Sequence, residues 1–225
     1  MRKASGCGVT FAYGAIRGLR NIGGAVLLTM TAAQAQTVTI AALGDSLTAG
    51  YGLDQGQGLV PQLEQWLRDQ GADVTIINAG VSGDTTAGGL ARVGWTLTPQ
   101  VDAMIVALGG NDFLRGLDPA VSRTNLDGIL AAGQQAGVPM LLVGLEVGAN
   151  YGPAYKRDFE ANYTDLAASY DVPLYRDMFA GMRAAGSDFR AFMQADGIHP
   201  SAEGVALIVA DIGPAILDLI ADVPR

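Results

Sequence analysis

The chain has 225 residues, and its 14 basic and 22 acidic side chains give a formal net charge of −8 at pH 7. An acidic chain of this kind is poorly suited to nucleic acid or to an anionic membrane surface. The chain has one cysteine, Cys7, and one histidine, His199. It therefore cannot form an internal disulfide or a zinc site built on two or three of its own histidines.

The first 35 residues have the pattern of a secretory signal peptide. Four basic and no acidic residues precede the apolar run 22–33, which ends in the small-residue signature Ala33-Gln34-Ala35. A run of this length is too short for a bilayer, which needs about 20 apolar residues. We therefore expect cleavage after Ala35, export to the periplasm or beyond, and a mature domain of residues 36–225. The alternative is an uncleaved membrane anchor.

Residues 36–225 alternate between apolar runs typical of strands and segments with helical periodicity. Such alternation within one domain predicts an α/β fold in which helices cover both faces of a parallel sheet. Near-continuous apolar strands agree with burial on both sides. The predicted strands are 37–43, 73–80, 101–110, 138–146 and 172–175, and the predicted helices lie at 59–71, 119–137, around 155–166 and after Ser201.

The last predicted helix has one apolar and one acidic face. Ser201 is suited to cap its N-terminus, and Asp211, Asp218 and Asp222 lie opposite the apolar stripe. We therefore expect a helix docked on the domain surface, and no stable membrane insertion of the mature chain. Because no apolar stripe is left unpaired, we expect a monomer.

Three polar segments each follow a predicted strand. They are Gly44-Asp45-Ser46, Asn78-Ala79-Gly80 and Gly109-Gly110-Asn111-Asp112. Ligands of parallel sheets bind beyond the carboxyl ends of the strands, so we expect the three segments to meet at one edge. The nucleophile elbow G-x-S-x-G does not occur in the chain. In the nearest match, 80–84, we expect Ser82 to cap a helix.

These segments and the single histidine together suggest nucleophilic catalysis. Ser46 is the candidate nucleophile, His199 the candidate general base, and Asp196, three residues earlier, the carboxylate that orients the imidazole. The Gly80 and Ser46 backbone N–H groups and the Asn111 amide are candidate oxyanion donors. Each residue also has an ordinary structural interpretation: a surface histidine, a turn glycine, a capping asparagine.

The ordered blocks 44–47, Gly80, 109–112 and 196–200 resemble those of the SGNH, or GDSL, hydrolases. The resemblance covers essentially residues 38–222. Within the family, the sequence is similar to the secreted thioesterase I, lysophospholipase and arylesterase branch. It implies a three-layer α/β/α domain with a five-stranded parallel sheet in flavodoxin-like order. It also implies Ser46, Asp196 and His199 as a catalytic triad and Ser46, Gly80 and Asn111 as the oxyanion hole. Because the chain has a single histidine, we expect no metal, and we expect no cofactor.

The expected substrate is a small-molecule ester or thioester, such as an aryl ester, an acyl thioester or a lysophospholipid. Asp112, Phe113, Leu114 and Tyr151 are the candidate substrate-binding residues. The alternative is that the aromatic residues pack in the core and that Asp112 shapes its turn. Two other functions stay open: a carbohydrate O-acetylesterase of the same fold, and a non-catalytic lipid- or sugar-binding module, which would lack part of the triad or of the oxyanion set.

Overall fold

A five-stranded parallel sheet forms the centre of the protein in the computed structural model, which describes Gly8, residues 37–186 and residues 188–224. The predicted signal peptide lies outside these ranges, except for Gly8. The strands are β1 (Val38–Gly44), β2 (Val74–Gly80), β3 (Ala103–Ala107), β4 (Met140–Val143) and β5 (Leu174–Tyr175). The order across the sheet is β2-β1-β3-β4-β5, which is the predicted flavodoxin-like order.

Helices connect the strands and follow the last one. In the described part of the chain they are α1 (Ser46–Ala49), α2 (Leu59–Asp69), α3 (Thr86–Thr96), α4 (Gly110–Leu114), α5 (Pro119–Ala136), α6 (Pro153–Tyr170), α7 (Ala180–Ala184) and α8 (Ala202–Ala221), with a 3-10 helix at Phe189–Phe192. Helices α2, α5, α6 and α8 lie where periodicity predicted them. Asp118 caps α5 by accepting from the Ala120 N–H, and Ser201 caps α8 by accepting from the Gly204 N–H. The predicted cap Ser82 is wrong, because Thr85 caps α3 instead.

Apolar side chains of the sheet alternate between two helical layers. In β1, Ile40 and Ala42 pack with α2 and α8, whereas Ala41 and Leu43 pack with α3, α5 and α6. Successive side chains of a strand point to opposite faces, and these four residues are buried. The result is a three-layer α/β/α domain with one core on each side of the sheet, as predicted.

Helix α8 packs by one face. Ile208, Ile212 and Ile216 are buried, whereas Asp211 and Asp218 on the opposite face are exposed. Among the described residues, α8 is the one helix whose length and composition would allow it to cross a membrane. Its apolar face is instead covered by α2, α7 and β4.

The carboxyl ends of the first three strands meet at one edge of the sheet. Gly44 pairs in register with Gly80 of β2 and with Ala107 of β3. The Arg92 guanidinium, from α3, donates to the carbonyl oxygens of Gly44 at 2.8 Å and Ala79 at 2.6 Å. The partly buried Arg92 side chain therefore links the ends of β1 and β2, where the polar segments begin.

Candidate active site

Ser46 is the first residue of α1, two residues after the end of β1. Its neighbour Asp45 accepts the Leu47 N–H at 3.0 Å and so caps α1. A Cβ added to Gly44 would lie 1.9 Å from Thr48 Oγ1, so only glycine allows α1 to fold back this closely on the strand. Ser46 is 7% exposed and lines a cavity at the sheet edge.

His199 and Asp196 share a tight turn before α8. Asp196 Oδ1 accepts the backbone N–H groups of Ile198 at 2.9 Å and His199 at 3.0 Å. Its Oδ2 lies 2.6 Å from His199 Nδ1. The carboxylate is therefore bonded both to the backbone of the turn and to the imidazole, which fixes the orientation of the ring.

The imidazole connects the Asp196 carboxylate to Ser46. His199 Nε2 lies 2.7 Å from Ser46 Oγ. An ionised carboxylate only accepts hydrogen bonds, so Nδ1 carries the proton and Nε2 is free to accept from the serine hydroxyl. Hydrogen bonds from the His199 backbone, the His199 ring and the Ile198 backbone lower the pKa of Asp196 to about 2. The carboxylate therefore stays ionised at ordinary pH.

Asp45 is a second carboxyl at the site and has the opposite environment. It is 6% exposed, and burial raises its pKa from 3.8 to about 6, although the Leu47 N–H and the nearby His199 oppose the rise. Between pH 3.8 and about 6, the Asp45 carboxyl is more often protonated in the folded chain than in the unfolded chain. The stability contributed by the neutral carboxyl is thus lost as pH rises to about 6.

We expect Asp45→Asn to stabilise the protein in a pH-dependent way, because asparagine stays neutral and can still accept the Leu47 N–H. Urea unfolding should give nearly equal stabilities for wild type and variant near pH 4. At pH 8 the variant should gain up to about 3 kcal/mol. Asp118→Asn, at the exposed cap of α5, is the matched control. An Asp45→Asn effect that is the same at both pH values would contradict this origin.

Asn111, the second residue of α4, lines the cavity. Its Nδ2 donates to the Asp84 carbonyl oxygen at 2.9 Å and to Asp45 Oδ2 at 3.4 Å. An amide nitrogen carries two N–H groups. The long hydrogen bond to Asp45 is the weaker of the two, so it is the one that a bound oxygen would replace.

The structure corrects the prediction for Gly80. Its N–H already donates to Asn78 Oδ1 at 2.9 Å, and the residue lies outside the cavity wall. It is glycine because an added Cβ would lie 2.3 Å from the Ala49 nitrogen. Gly83, three residues later, lines the cavity with φ of 82°, and its N–H has no acceptor among the described residues. Gly83 is therefore the glycine that can donate into the site.

The four predicted substrate-binding residues separate into two groups. Phe113 and Leu114 line the cavity. Asp112 is fully buried and accepts hydrogen bonds from Thr86 and from Ser122, so it joins α3, α4 and α5 instead of meeting a substrate. Tyr151 also stays out of the cavity wall: its ring packs edge-on against Phe113 and its hydroxyl donates to the Leu114 carbonyl.

The cavity extends well beyond the triad, with a volume of about 580 Å³. Phe179 and Phe189 pack edge to face at 5.8 Å on its wall, and the Arg183 guanidinium lies 5.4 Å from the Phe189 ring centre. The sequence carried no periodic signal for this wall. The apolar residues that segment 178–198 contributes to the cavity wall are Met178, Phe179, Phe189, Met193 and Ile198.

One face of the imidazole is covered by a residue that the sequence reasoning missed. The Tyr51 ring lies 4.7 Å from the His199 ring, centre to centre, tilted by 37°.

In residues 37–186 and 188–224, no three His, Cys, Asp or Glu side chains are grouped so as to hold a metal ion. The arrangement places a hydroxyl, an imidazole, a carboxylate and N–H donors beside an apolar cavity.

Comparisons with known proteins give one matching family and several named relatives. The model of the GDSL-like lipase/acylhydrolase family matches residues 42–207. The chain is 36% identical over 200 residues to esterase TesA of Pseudomonas aeruginosa, a match that covers 88% of this chain and 98% of TesA. It is 37% identical over 185 residues to thioesterase 1/protease 1/lysophospholipase L1 of Escherichia coli K12, covering 81% and 84% of the two chains.

Comparison with solved structures also finds a similar esterase. The crystal structure of AlinE4, an SGNH-hydrolase family esterase, is 42% identical, with a TM-score of 0.67 and coverage of 84% of this chain and 98% of AlinE4. The family match spans well over half of the chain and includes the segments that carry Ser46, Asn111 and His199. The chain belongs to the GDSL-like lipase/acylhydrolase family, the SGNH hydrolases.

Proposed function

We propose that the protein is a serine esterase that hydrolyses carboxylic esters, thioesters or both through an acyl-enzyme intermediate. The observation that carries the proposal is the continuous contact from Asp196 through His199 to Ser46, at 2.6 and 2.7 Å, on the wall of an apolar cavity. A silent binding module would have no need for this alignment.

In the first half-reaction, Ser46 Oγ attacks the acyl carbonyl carbon while His199 Nε2 takes the hydroxyl proton. The imidazolium is stabilised by the ionised Asp196. Negative charge moves to the carbonyl oxygen, where the Asn111 N–H that faces Asp45 in the unliganded site, the Gly83 N–H and the Ser46 N–H are the proposed donors. Collapse of the intermediate breaks the bond to the leaving group, which receives the proton from His199.

In the second half-reaction, water takes the place of the leaving group. His199 Nε2 removes a proton from that water, whose oxygen attacks the Ser46 ester carbonyl. The same donors hold the oxyanion. The proton then returns through His199 to Ser46 Oγ, and the free carboxylic acid leaves. Both half-reactions use one base and one set of donors, so a single histidine is sufficient.

The cavity favours an acyl chain over a sugar. Around the triad its wall is made largely of aliphatic, aromatic and methionine side chains, which suit a hydrocarbon group. Relatives named esterase, thioesterase, lysophospholipase and arylesterase support aryl esters, acyl thioesters and lysophospholipids as the substrates to test. An O-acetylesterase would instead prefer sugar acetates to every longer acyl ester.

We expect Phe189→Ala to weaken the selectivity for longer acyl chains. Removing the ring takes away apolar surface of the cavity wall, which we expect a long octanoyl chain to cover and a short acetyl group to leave uncovered. A loss of about 1.5 kcal/mol, the burial of roughly two methylenes, lowers kcat/KM for p-nitrophenyl octanoate about tenfold. The value for p-nitrophenyl acetate should stay within about twofold.

Trp95→Ala is the control for that panel, since this tryptophan is 86% exposed and lies outside the cavity wall. It should leave both substrates unchanged. An equal fall of both esters in Phe189→Ala, or no change in either, would mean that the 189–192 segment does not contact the acyl chain.

The proposed enzyme is exported, and its mature domain is residues 36–225. The basic leader, the short apolar run and Ala33-Gln34-Ala35 support cleavage after Ala35. The acidic charge of the mature chain argues against binding to anionic membranes. The intact mass of protein collected from the periplasm or medium tests this, and a mature chain beginning at Gln36 is expected. Retention of the leader in a membrane fraction would show an anchor instead.

A further inference from the structure

We propose that Gln194 is a positioning residue that keeps the turn carrying His199 aligned with the turn carrying Ser46. The inference rests on the proposed function, because it concerns the alignment of the proposed base with the proposed nucleophile. These two turns lie 153 residues apart in the chain, so their alignment depends on contacts between distant segments. The Gln194 side chain, half-buried, makes such contacts.

The amide of Gln194 bridges two backbone carbonyl groups. Its Nε2 donates to the Tyr51 oxygen at 2.9 Å and to the Pro200 oxygen at 3.0 Å. Both neighbours are acceptors, so both N–H groups of the amide are used. Tyr51 follows α1, and Pro200 follows His199, so one side chain connects the two catalytic turns.

The backbone extends this bridge to the catalytic residues themselves. The Tyr51 N–H donates to the Ser46 carbonyl at 3.0 Å, and the Gln194 N–H donates to the His199 carbonyl at 2.7 Å. Ser46 and His199 are therefore joined through Tyr51 and Gln194 by three consecutive hydrogen bonds. The Tyr51 ring also packs on the His199 imidazole, so a shift of Tyr51 would move a neighbour of the base.

The bridge has a dedicated space in the structure. A Cβ on Gly52 would lie 2.2 Å from Gln194 Oε1, and Gly52 has a φ of 75°, which suits glycine. The residue beside Tyr51 therefore leaves room for the amide. Since catalytic groups must be held within about 0.5 Å of their productive geometry, a bridge at this place acts on the distance between Nε2 and Oγ.

Gln194→Met tests the inference, because methionine keeps the length and volume of the side chain and removes both donors. We expect kcat for p-nitrophenyl butyrate to fall on the order of tenfold, since small misplacements of reacting groups have effects of this size or larger. KM should change less than about twofold, because Gln194 lies outside the cavity wall. The thermal unfolding midpoint reports whether the variant is folded.

Gln62→Met is the matched control. The Gln62 amide also donates to two carbonyl oxygens, those of Gln57 and Ala202, and connects the same two regions of the chain away from the triad. It should keep wild-type kcat. Equal losses of kcat in the two variants would show general loosening of these regions, and an unchanged kcat in Gln194→Met would show no positioning role. Either result overturns the inference while an active wild type leaves the proposed function standing; a wild type inactive on every ester overturns both.

Discussion

Ser46→Ala is expected to lower kcat for ester hydrolysis by at least about 10⁴-fold. Without Oγ there is no atom at the end of the Asp196–His199 chain to form the acyl-enzyme, and only the oxyanion donors and substrate binding remain. Alanine fits the space of the serine, so the fold should persist. Steady-state assays with a p-nitrophenyl ester, on protein whose unfolding midpoint matches the wild type, measure the effect.

Ser169→Ala is the control for the loss of a hydroxyl. Ser169 lies on the exposed face of α6 and donates to the Asp165 carbonyl, so its replacement should leave kcat unchanged. A folded Ser46→Ala sample that keeps more than about a tenth of wild-type turnover would remove Ser46 from the mechanism.

Asp196→Asn should lower kcat by about 10⁴-fold, the size seen when a triad carboxylate becomes an amide in another serine hydrolase. The asparagine Oδ1 can still accept the backbone N–H groups of Ile198 and His199. Its NH₂ group, however, faces His199 Nδ1 as a donor. The imidazole then adopts the tautomer with its proton on Nε2, which cannot accept from Ser46.

Asp118→Asn, measured in the same assay, is the control for Asp196→Asn. Asp118→Asn changes a carboxylate that caps α5 by the same kind of bond to a backbone N–H and lies outside the site, so kcat should not change. A loss of less than about tenfold in Asp196→Asn would mean that the carboxylate shapes the turn and does not set the tautomer.

The fold was predictable because its signals are local. Apolar runs and helical periodicity marked all five strands and the four long helices that the sequence analysis placed. Strand ends were less certain: β3 was expected to reach residue 110 but ends at Ala107. The residues beyond it are equally apolar or small, and the helix α4 that begins at Gly110 is too short to show periodicity.

The site was predictable where its geometry follows from short spacings. Asp196 and His199 are three residues apart, so a tight turn joins them. The Gly80 prediction was wrong because one glycine ends β2 and another, Gly83, lies in the turn after it, and only the path of the turn determines which one reaches the cavity. The Asp112 prediction was wrong because neighbouring residues of a helix point about 100° apart, so Asn111 faces the cavity while Asp112 faces the core.

Other parts of the site depend on contacts between distant segments. The packing of Tyr51 on His199 and the bridge from Gln194 to Tyr51 join positions more than 140 residues apart. The wall that includes Phe179 and Phe189 comes from a short helix and a 3-10 turn without a repeating pattern. No spacing rule connects such residues, and they became apparent only in the folded arrangement.

The most direct test of the central claim is the mass of the protein after reaction with a fluorophosphonate, which phosphonylates a serine that a base has activated. The account predicts one phosphonyl group per chain, located on Ser46 by peptide mapping. A protein that hydrolyses esters yet carries the group on another residue, or carries none, would contradict it.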